Sequence, residues 1–249
     1  FLTKFEEHLL QRSITENSIA VYMRSLRSIY NKAIKEGYAL ESNYPFKAYK
    51  ISKLNTRTKK RALKKEDIIK IKDLSLELYS KTWDAQNYFM FSYYCRGINF
   101  RDMAFLKWDN IINGRLIYTR AKTGGNFNIE LMQPALEILE QYEKIRDDSG
   151  YVFPILNNFH DTATRKENRI KKVIKQVNKE LKQIAEMAKL DVKLTTYVAR
   201  HSYATVLKRS GISTSLISES LGHSSEKITQ VYLDSFENEV LDEIGKNLL

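Results

Sequence analysis

A segment near the C-terminal end of the chain carries residue types suited to chemistry on an anionic substrate. Arg200 and His201 begin a predicted helix, His223 follows a glycine in a predicted turn, and Tyr232 lies nine residues further on. Arginine binds anions through a planar fork, histidine exchanges protons near neutral pH, and a phenol is a candidate nucleophile. Each of these residues alone more often packs in a protein core or caps a helix or turn than takes part in chemistry. Their combination in one short segment is much rarer by chance, so we take this segment as the candidate functional region.

The elements that must position these side chains are predicted to be mostly helices. Only nine glycines and three prolines interrupt the chain, and apolar residues recur with helical spacing. The spacing predicts helices at 1–12, 19–33, 65–79, 84–95, 100–107, 133–147, 164–188, 196–210, 213–221 and 225–232. One β-hairpin is predicted, because residues 115–120 and 127–131 alternate in polarity around a turn at 123–126. We therefore expect a mainly α-helical fold with a small β-sheet.

The composition narrows the class of protein. Lys and Arg (41) exceed Asp and Glu (30), which gives a net charge of +11. This excess favours nucleic acid or an anionic membrane surface as the partner. The single cysteine, Cys95, excludes a disulfide framework and a cysteine-based zinc site. No apolar run approaches the ~20 residues of a membrane span, so the composition predicts a soluble protein of a reducing compartment.

The uneven distribution of charge predicts a domain boundary. Residues 1–60 hold 12 Lys and Arg against 5 Asp and Glu, and the stretch 47–60 has no acidic residue. We interpret this stretch as an exposed basic linker, which is either a solvated surface or a strap along phosphates, where each neutralised phosphate releases counterions. The remainder, 61–249, has the pattern of one larger domain. Its tail, 233–249, is amphipathic, with five acidic residues and one lysine.

The C-terminal motifs resemble the signature of the tyrosine recombinases, or phage-type integrases, especially those of mobile elements in the Bacteroidetes. The matching runs are Arg200-His201-Ser202-x-Ala204-Thr205, Leu221-Gly222-His223-Ser224-Ser225 and Thr229-Gln230-x-Tyr232. The resemblance covers nearly the whole chain. It implies a SAM-like helical core-binding domain at 1–50, a linker at 51–60 and a mixed α/β catalytic domain at 61–249. Because Phe1 is not an initiator methionine, we expect a fragment, with the first core-binding helices and any arm-type domain lying before it.

The resemblance implies a site-specific recombinase that needs no ATP, metal or other cofactor. Tyr232 matches the nucleophile, which attacks a DNA phosphodiester and forms a 3′-phosphotyrosyl bond. Arg200 matches the family's second arginine, a ligand of the phosphate oxygens. His223 matches the histidine that donates to the phosphate or assists proton transfer. Lys122, in the hairpin turn, matches the lysine that protonates the leaving 5′-oxygen.

Two positions depart from the family pattern. Tyr197 stands where the motif usually has a histidine, and a phenol donates a hydrogen bond but is a poor base at neutral pH. When Asp102 and Trp108 are aligned with the family, Asn99 stands where the first arginine is usual. Arg96 is favoured as the replacement, since it lies in the loop before the next helix. The alternative, Arg101, is predicted to lie in the first turn of that helix and to contact the DNA backbone instead.

The family also implies the partners of the chain. The two domains are expected to clamp double-stranded DNA, and four protomers are expected to assemble on two crossover sites. The acidic tail after Tyr232 is expected to pack on a neighbouring protomer. The localisation expected for such a protein is the bacterial cytoplasm, associated with the nucleoid when bound to DNA. The candidate DNA contacts are Arg27, Lys53, Arg57, Lys59, Lys60 and Arg101.

Two other readings of the sequence remain open. Residues 212–232, with their glycine turn, have the pattern of a helix-turn-helix, which favours a non-catalytic DNA-binding protein. In that case Tyr232 is a phosphate contact or a packed residue. An RNA-processing protein is the third alternative. Formation of a covalent protein–DNA adduct separates the recombinase from the other two.

Overall fold

The computed structural model describes residues 1–56, 62–223 and 225–233, without the side chains of residues 231 and 232. The chain divides into two compact units, Phe1–Lys59 and Lys60–Leu249, called here the first and second units. Within the described residues, no helix combines the length and apolar character needed to cross a membrane.

The first unit is built from two helices and three short 3-10 turns. Helix α1 spans Leu2–Gln11 and α2 spans Glu16–Lys35. Helix α2 begins where Thr15 accepts a hydrogen bond from the Ser18 backbone, and its charges suit the helix dipole, with an acid at the start and lysines at the end. The 3-10 turns are Glu41–Asn43, Pro45–Lys47 and Ile51–Lys53. Its core consists of Leu2, Ile19, Ala20, Met23, Phe46, Tyr49 and Leu54.

The second unit contains eight described helices and one small sheet. The helices are α3 Lys65–Lys72, α4 Lys81–Tyr94, α5 Phe100–Ala104, α6 Gln133–Glu143, α7 Ala163–Met187, α8 Thr196–Arg209, α9 Thr214–Ser220 and α10 Glu226–Leu233. Helix α4 lies at the centre and contacts α6, α7 and α8. Its side chains Phe89 and Phe91 are fully buried, as is Cys95 just after it. Cys95 is therefore a small core residue, and burial raises the pKa of its thiol.

The sheet contains the predicted hairpin and one further strand. Strands β1 Ile111–Ile112, β2 Arg115–Thr119 and β3 Asn126–Glu130 are antiparallel in the order β1-β2-β3. Leu116 pairs with Ile129, and both are buried. This register sends alternate side chains into the core and leaves the turn between β2 and β3 at the end of the hairpin. The fold is thus mainly α-helical with a small sheet, as predicted.

Some predicted helix ends are wrong. The helix predicted at 65–79 ends at Lys72, because the Gln86 side chain donates to the carbonyls of Ile71 and Leu74, at 2.7 and 3.1 Å, and satisfies acceptors at the end of α3. The helices predicted at 100–107 and 133–147 end early, at Ala104 and Glu143. Helix α4 begins three residues before its predicted start, where Ser80 caps it.

Candidate active site

Arg200 is held in a fixed orientation by contacts on two sides. It lies on α8, with 3% of its surface exposed. Its Nη1 donates to the Gly97 carbonyl at 3.0 Å, and its Nη2 donates to the Leu221 carbonyl at 2.6 Å. The same Nη2 lies 3.1 Å from Nε2 of His223. A guanidinium fixed in this way is suited to bidentate binding of a phosphate.

The turn between α4 and α5 contacts Arg200 through a glycine. A Cβ on Gly97 would lie 2.6 Å from Cγ of Arg200 and 2.7 Å from its Cα, and the φ of Gly97 is +66°. Only glycine combines this left-handed conformation with such a close approach. Arg96, one residue earlier, also has a positive φ, +55°, and is half-buried. The structure therefore places Arg96 in the turn that packs against Arg200.

His223 connects Arg200 to the helix that carries the candidate nucleophile. Its Nδ1 lies 2.7 Å from Oγ1 of Thr229, which is buried on α10. Burial, together with the positive charges of Arg200 and Arg120, lowers the pKa of His223 to about 4. The imidazole is therefore neutral at pH 7.

Tyr232 lies on α10, three residues after Thr229. Leu233, the last residue of α10, is buried in a small cluster with Ala204 of α8 and Ile217 of α9. The backbone of the candidate nucleophile therefore belongs to a helix that is anchored beside His223, while the Tyr232 side chain is outside what the structure describes.

Lys122 lies in the exposed turn between β2 and β3. The backbone N–H of its neighbour Ala121 donates to Oδ1 of Asp102 at 3.1 Å. Asp102 is buried on α5 and also receives a hydrogen bond from the Asn99 side chain. Asn99 in turn accepts from the Asp102 backbone N–H at 2.9 Å, which caps α5. Asp102 thus connects the turn that carries Lys122 to the start of α5. The Asn99 side chain caps α5.

The structure adds Arg120, which the sequence analysis missed. Its Nη1 lies 3.5 Å from the Leu221 carbonyl and 3.4 Å from the Gly222 carbonyl, so it reaches the turn that carries His223. Its charge also contributes to the lowered pKa of His223. The sequence feature that points to Arg120 is its position two residues before Lys122. That signal was weak, because about 100 residues of sequence separate Arg120 from the carbonyls that it meets.

Arg101 and Tyr197 have other contacts. Arg101 forms an ion pair with Glu167 of α7, with 2.6 Å between Nη2 and Oε1, and lies over the Phe105 ring at 5.0 Å. Tyr197, on α8, is half-exposed and meets the His201 ring edge-on, with 4.8 Å between centroids. Arg101 is thus held at the junction of α5 and α7, and Tyr197 is accessible from solvent.

The candidate DNA contacts of the first unit and linker are only partly described. Arg27 is exposed on α2. Lys53 forms an ion pair with Glu6, with 2.7 Å between Nζ and Oε2, and lies 4.6 Å from the centroid of Tyr49. This pair lowers the pKa of Glu6 against the opposing effect of burial. Arg57, Lys59, Lys60 and the tail from residue 234 lie outside the described residues.

No group of three or more His, Cys, Asp or Glu side chains able to hold a metal ion occurs among the residues that the structure describes.

Two protein-family models match the chain. Residues 61–239 match the model described as the phage integrase family, and residues 1–51 match the phage integrase SAM-like domain.

Individual proteins resemble the chain over most of its length. The tyrosine recombinase XerA of Pyrococcus furiosus is 29% identical over 71% of this chain and 58% of its own length, so the chain spans a little over half of that relative. Among solved structures, XerH bound to a palindromic difH substrate gives a TM-score of 0.73 at 17% identity, covering 98% of this chain and 71% of that one. A lambda integrase tetramer bound to a Holliday junction gives 0.61 at 16% identity, covering 93% and 63%. Both of these solved structures share the fold of this chain.

Proposed function

Because the chain belongs to the phage integrase family, we propose that it is a site-specific DNA recombinase, an integrase that cleaves and rejoins DNA through a 3′-phosphotyrosyl intermediate. One observation carries this proposal. Arg200 contacts His223, and His223 contacts Thr229 on the helix that carries Tyr232, so a group suited to binding phosphate and a group suited to proton transfer meet at the helix of the candidate nucleophile.

Tyr232 is the proposed nucleophile. Its phenolic oxygen attacks the scissile phosphorus and gives its proton to the neutral imidazole of His223, the bond to the 5′-oxygen breaks, and the phosphate becomes esterified to the tyrosine. Lys122 donates the proton that the leaving 5′-oxygen takes up. Rejoining is the reverse reaction, in which a 5′-hydroxyl attacks the phosphotyrosine. One phosphodiester replaces another in each step, so the bond energy is conserved and the proposed scheme needs no ATP.

Arg200 is proposed to bind the non-bridging oxygens, on which negative charge accumulates in the transition state. Its rigid attachment to two carbonyls means that little reorganisation is needed at the moment of reaction. His223 assists proton transfer at the same phosphate. Arg96, in the turn packed against Arg200, is proposed as a further cation for this phosphate in place of the family's first arginine. Tyr197 is proposed as a hydrogen-bond donor where the family usually has histidine.

The domain organisation follows from the same proposal. We propose that 1–50 form a partial core-binding domain, 51–60 a basic linker and 61–249 the catalytic domain with its tail. Double-stranded DNA is the proposed partner, with backbone contacts from Arg27, Lys53, Arg57, Lys59, Lys60 and Arg101. Contact by Lys53 or Arg101 requires exchange of a carboxylate partner for a phosphate. Binding through these residues is expected to weaken as salt rises.

Assembly and location complete the proposal. A solved structure of the same fold is a lambda integrase tetramer bound to a Holliday junction, and we propose a tetrameric synapse on DNA for this chain. The amphipathic tail packs on a neighbouring protomer in that synapse. The protein acts in the bacterial cytoplasm, associated with the nucleoid while it is bound to DNA.

The test is covalent capture of DNA. A pool of duplexes with a randomised central sequence and one nick is incubated with the chain, because a nick lets the short cleaved fragment diffuse away and traps the intermediate. Adducts that survive denaturation are isolated and their DNA is sequenced. The proposal expects adducts that enrich a defined sequence. Sequence-specific binding without any adduct would contradict it and favour the non-catalytic helix-turn-helix protein.

Arg200→Lys refines the test. Lysine keeps the charge but replaces the planar fork with a point charge. The variant is expected to bind the captured duplex and to form adduct poorly. Wild-type rates of adduct formation in this variant would contradict the role assigned to Arg200.

A further inference from the structure

Arg120 has polar groups that its protein contacts leave poorly satisfied. The two carbonyls that its Nη1 reaches lie at 3.4 and 3.5 Å, at the outer limit of hydrogen-bond length. Its Nε is buried and has no hydrogen-bond partner. Among the residues that the structure describes, no carboxylate forms an ion pair with Arg120.

The unsatisfied Nε of Arg120 destabilises the folded protein unless a ligand accepts a hydrogen bond from it. A buried donor without a partner loses its hydration and gains nothing in return, and the cost is greater for a charged group. The long hydrogen bonds from the Arg120 guanidinium stabilise the Leu221 and Gly222 carbonyls only weakly. The geometry fits a guanidinium that is positioned for an acceptor from outside the chain.

The position of Arg200 indicates where that acceptor binds. Arg120 and Arg200 both reach the Leu221 carbonyl, so their guanidinium groups are neighbours. Burial and, after it, the charges of both arginines lower the pKa of His223, so the imidazole is neutral at pH 7. Two adjacent cations repel each other, and the imidazole between them and α10 adds no compensating charge. An anion at this point relieves the repulsion and accepts hydrogen bonds from the poorly bonded donors of Arg120.

We propose that Arg120 is a phosphate-binding catalytic residue of this site and that it supplies a further guanidinium to the scissile phosphate, besides those proposed for Arg200 and Arg96. This inference rests on the proposed recombinase function and deepens it. At the aligned position of the family's first arginine the chain has Asn99, whose side chain is committed to Asp102 and the start of α5. Arg120 instead approaches from the end of β2, two residues before Lys122, so one hairpin brings both a phosphate ligand and the proton donor.

The competing explanation is that Arg120 only positions the His223 turn through its carbonyl contacts. The two explanations differ in how they depend on the charge of the substrate. A phosphate ligand is needed because the phosphate carries negative charge, whereas a residue that only positions a turn is needed whatever charge the substrate carries.

The experiment compares a phosphodiester with an uncharged methylphosphonate at the scissile position of the captured duplex. Cleavage by wild type, Arg120→Ala and Arg120→Lys is followed in single turnover on both substrates. We expect Arg120→Ala to cleave the phosphodiester about 100-fold or more slowly than wild type, as for loss of one oxyanion donor. On the methylphosphonate the deficit should shrink to less than tenfold, and Arg120→Lys should fall between wild type and Arg120→Ala on the phosphodiester.

A control variant and the wild type separate the possible outcomes. Arg115→Ala, at the other end of β2, removes a half-exposed arginine that donates to Oδ1 of Asn128 at 2.6 Å and lies 3.8 Å from Glu130, and should leave cleavage near wild type. Equal deficits of Arg120→Ala on both substrates, or no deficit on the phosphodiester, would overturn the proposal for Arg120 while wild-type cleavage upholds the recombinase function. Absence of any adduct with wild type would overturn the recombinase function and this inference with it.

Discussion

Arg200 and His223 meet with 3.1 Å between Nη2 and Nε2. A guanidinium has no acceptor, so Nε2 of His223 must accept and its proton must be on Nδ1. That Nδ1–H then donates to Oγ1 of Thr229 at 2.7 Å. The lowered pKa agrees with this neutral tautomer. His223 therefore presents an unprotonated nitrogen beside the phosphate-binding arginine, which makes it a proton acceptor before DNA arrives.

Thr229 is expected to hold this tautomer in place. Thr229→Val keeps the volume but removes the acceptor for Nδ1–H, so the imidazole loses its fixed orientation. We expect cleavage to fall roughly tenfold, a part of the 100-fold or more that a proton-transfer group contributes. Single-turnover cleavage of the captured duplex measures the effect. Thr229→Ser keeps the hydroxyl and should stay near wild type, and equal activity of the Val and Ser variants would contradict the role of this hydrogen bond.

Gly97 is expected to be essential for the position of Arg200. Gly97→Ala places a Cβ against the backbone and side chain of Arg200, so α8 must shift, and cleavage should be lost. Gly114→Ala is the matched control, because Gly114 also has a positive φ, +70°, but its Cβ meets nothing within 4 Å. The control should lose about 1 kcal/mol of stability from the left-handed conformation alone. Thermal unfolding and single-turnover cleavage of both variants check this, and equal cleavage would show that the contact is unimportant.

Arg96 and Arg101 are expected to differ in their effect on cleavage. Arg96→Ala removes a cation from the turn packed against Arg200 and should slow single-turnover cleavage at least tenfold. Arg101→Ala breaks a half-exposed ion pair with Glu167 and should have a mild effect. Equal, mild defects in both variants would eliminate both arginines as ligands of the transition state.

Asp84 makes the stability of the second unit depend on pH. Burial raises its pKa from 3.8 to about 6, although hydrogen bonds from Tyr142 and Tyr88 act in the opposite direction. The folded state therefore holds a proton that the unfolded state releases between pH 3.8 and 6, and this stabilisation is lost as pH rises through 6. The shift corresponds to roughly 3 kcal/mol.

Asp84→Asn removes this titration and keeps an oxygen that can accept from the Tyr142 hydroxyl. Denaturant unfolding between pH 4 and 7 should show the wild type losing about 3 kcal/mol relative to the variant. A constant difference between the two proteins across that range would mean that Asp84 is not protonated in the folded state at low pH.

Local patterns predicted most elements but not the contacts between distant ones. The hairpin at 115–131 followed from alternation and turn residues, and the long helices followed from their apolar spacing. Strand β1 was missed, because its two residues are too few to show a period. The early end of α3 depends on Gln86, which lies on the next helix. No local pattern reveals a donor for a carbonyl 15 residues away.

The candidate site shows the same division. The sequence motifs predicted four of the site residues, Arg200, His223, Lys122 and Tyr232. Arg120 was not, because its role depends on the Leu221 carbonyl, which belongs to a turn about 100 residues later. The motifs equally gave no reason to single out Gly97, whose importance comes from a close approach that only the folded chain creates.

The most direct test of the recombinase assignment is to locate the DNA on the protein. The trapped adduct is digested with protease and nuclease, and the modified peptide is sequenced by tandem mass spectrometry, with Tyr232→Phe as the paired control. We expect the nucleotide on Tyr232, and a Phe variant that binds the duplex but forms no adduct. A nucleotide attached to any other side chain, or strand cleavage retained by the Phe variant, would contradict the assignment.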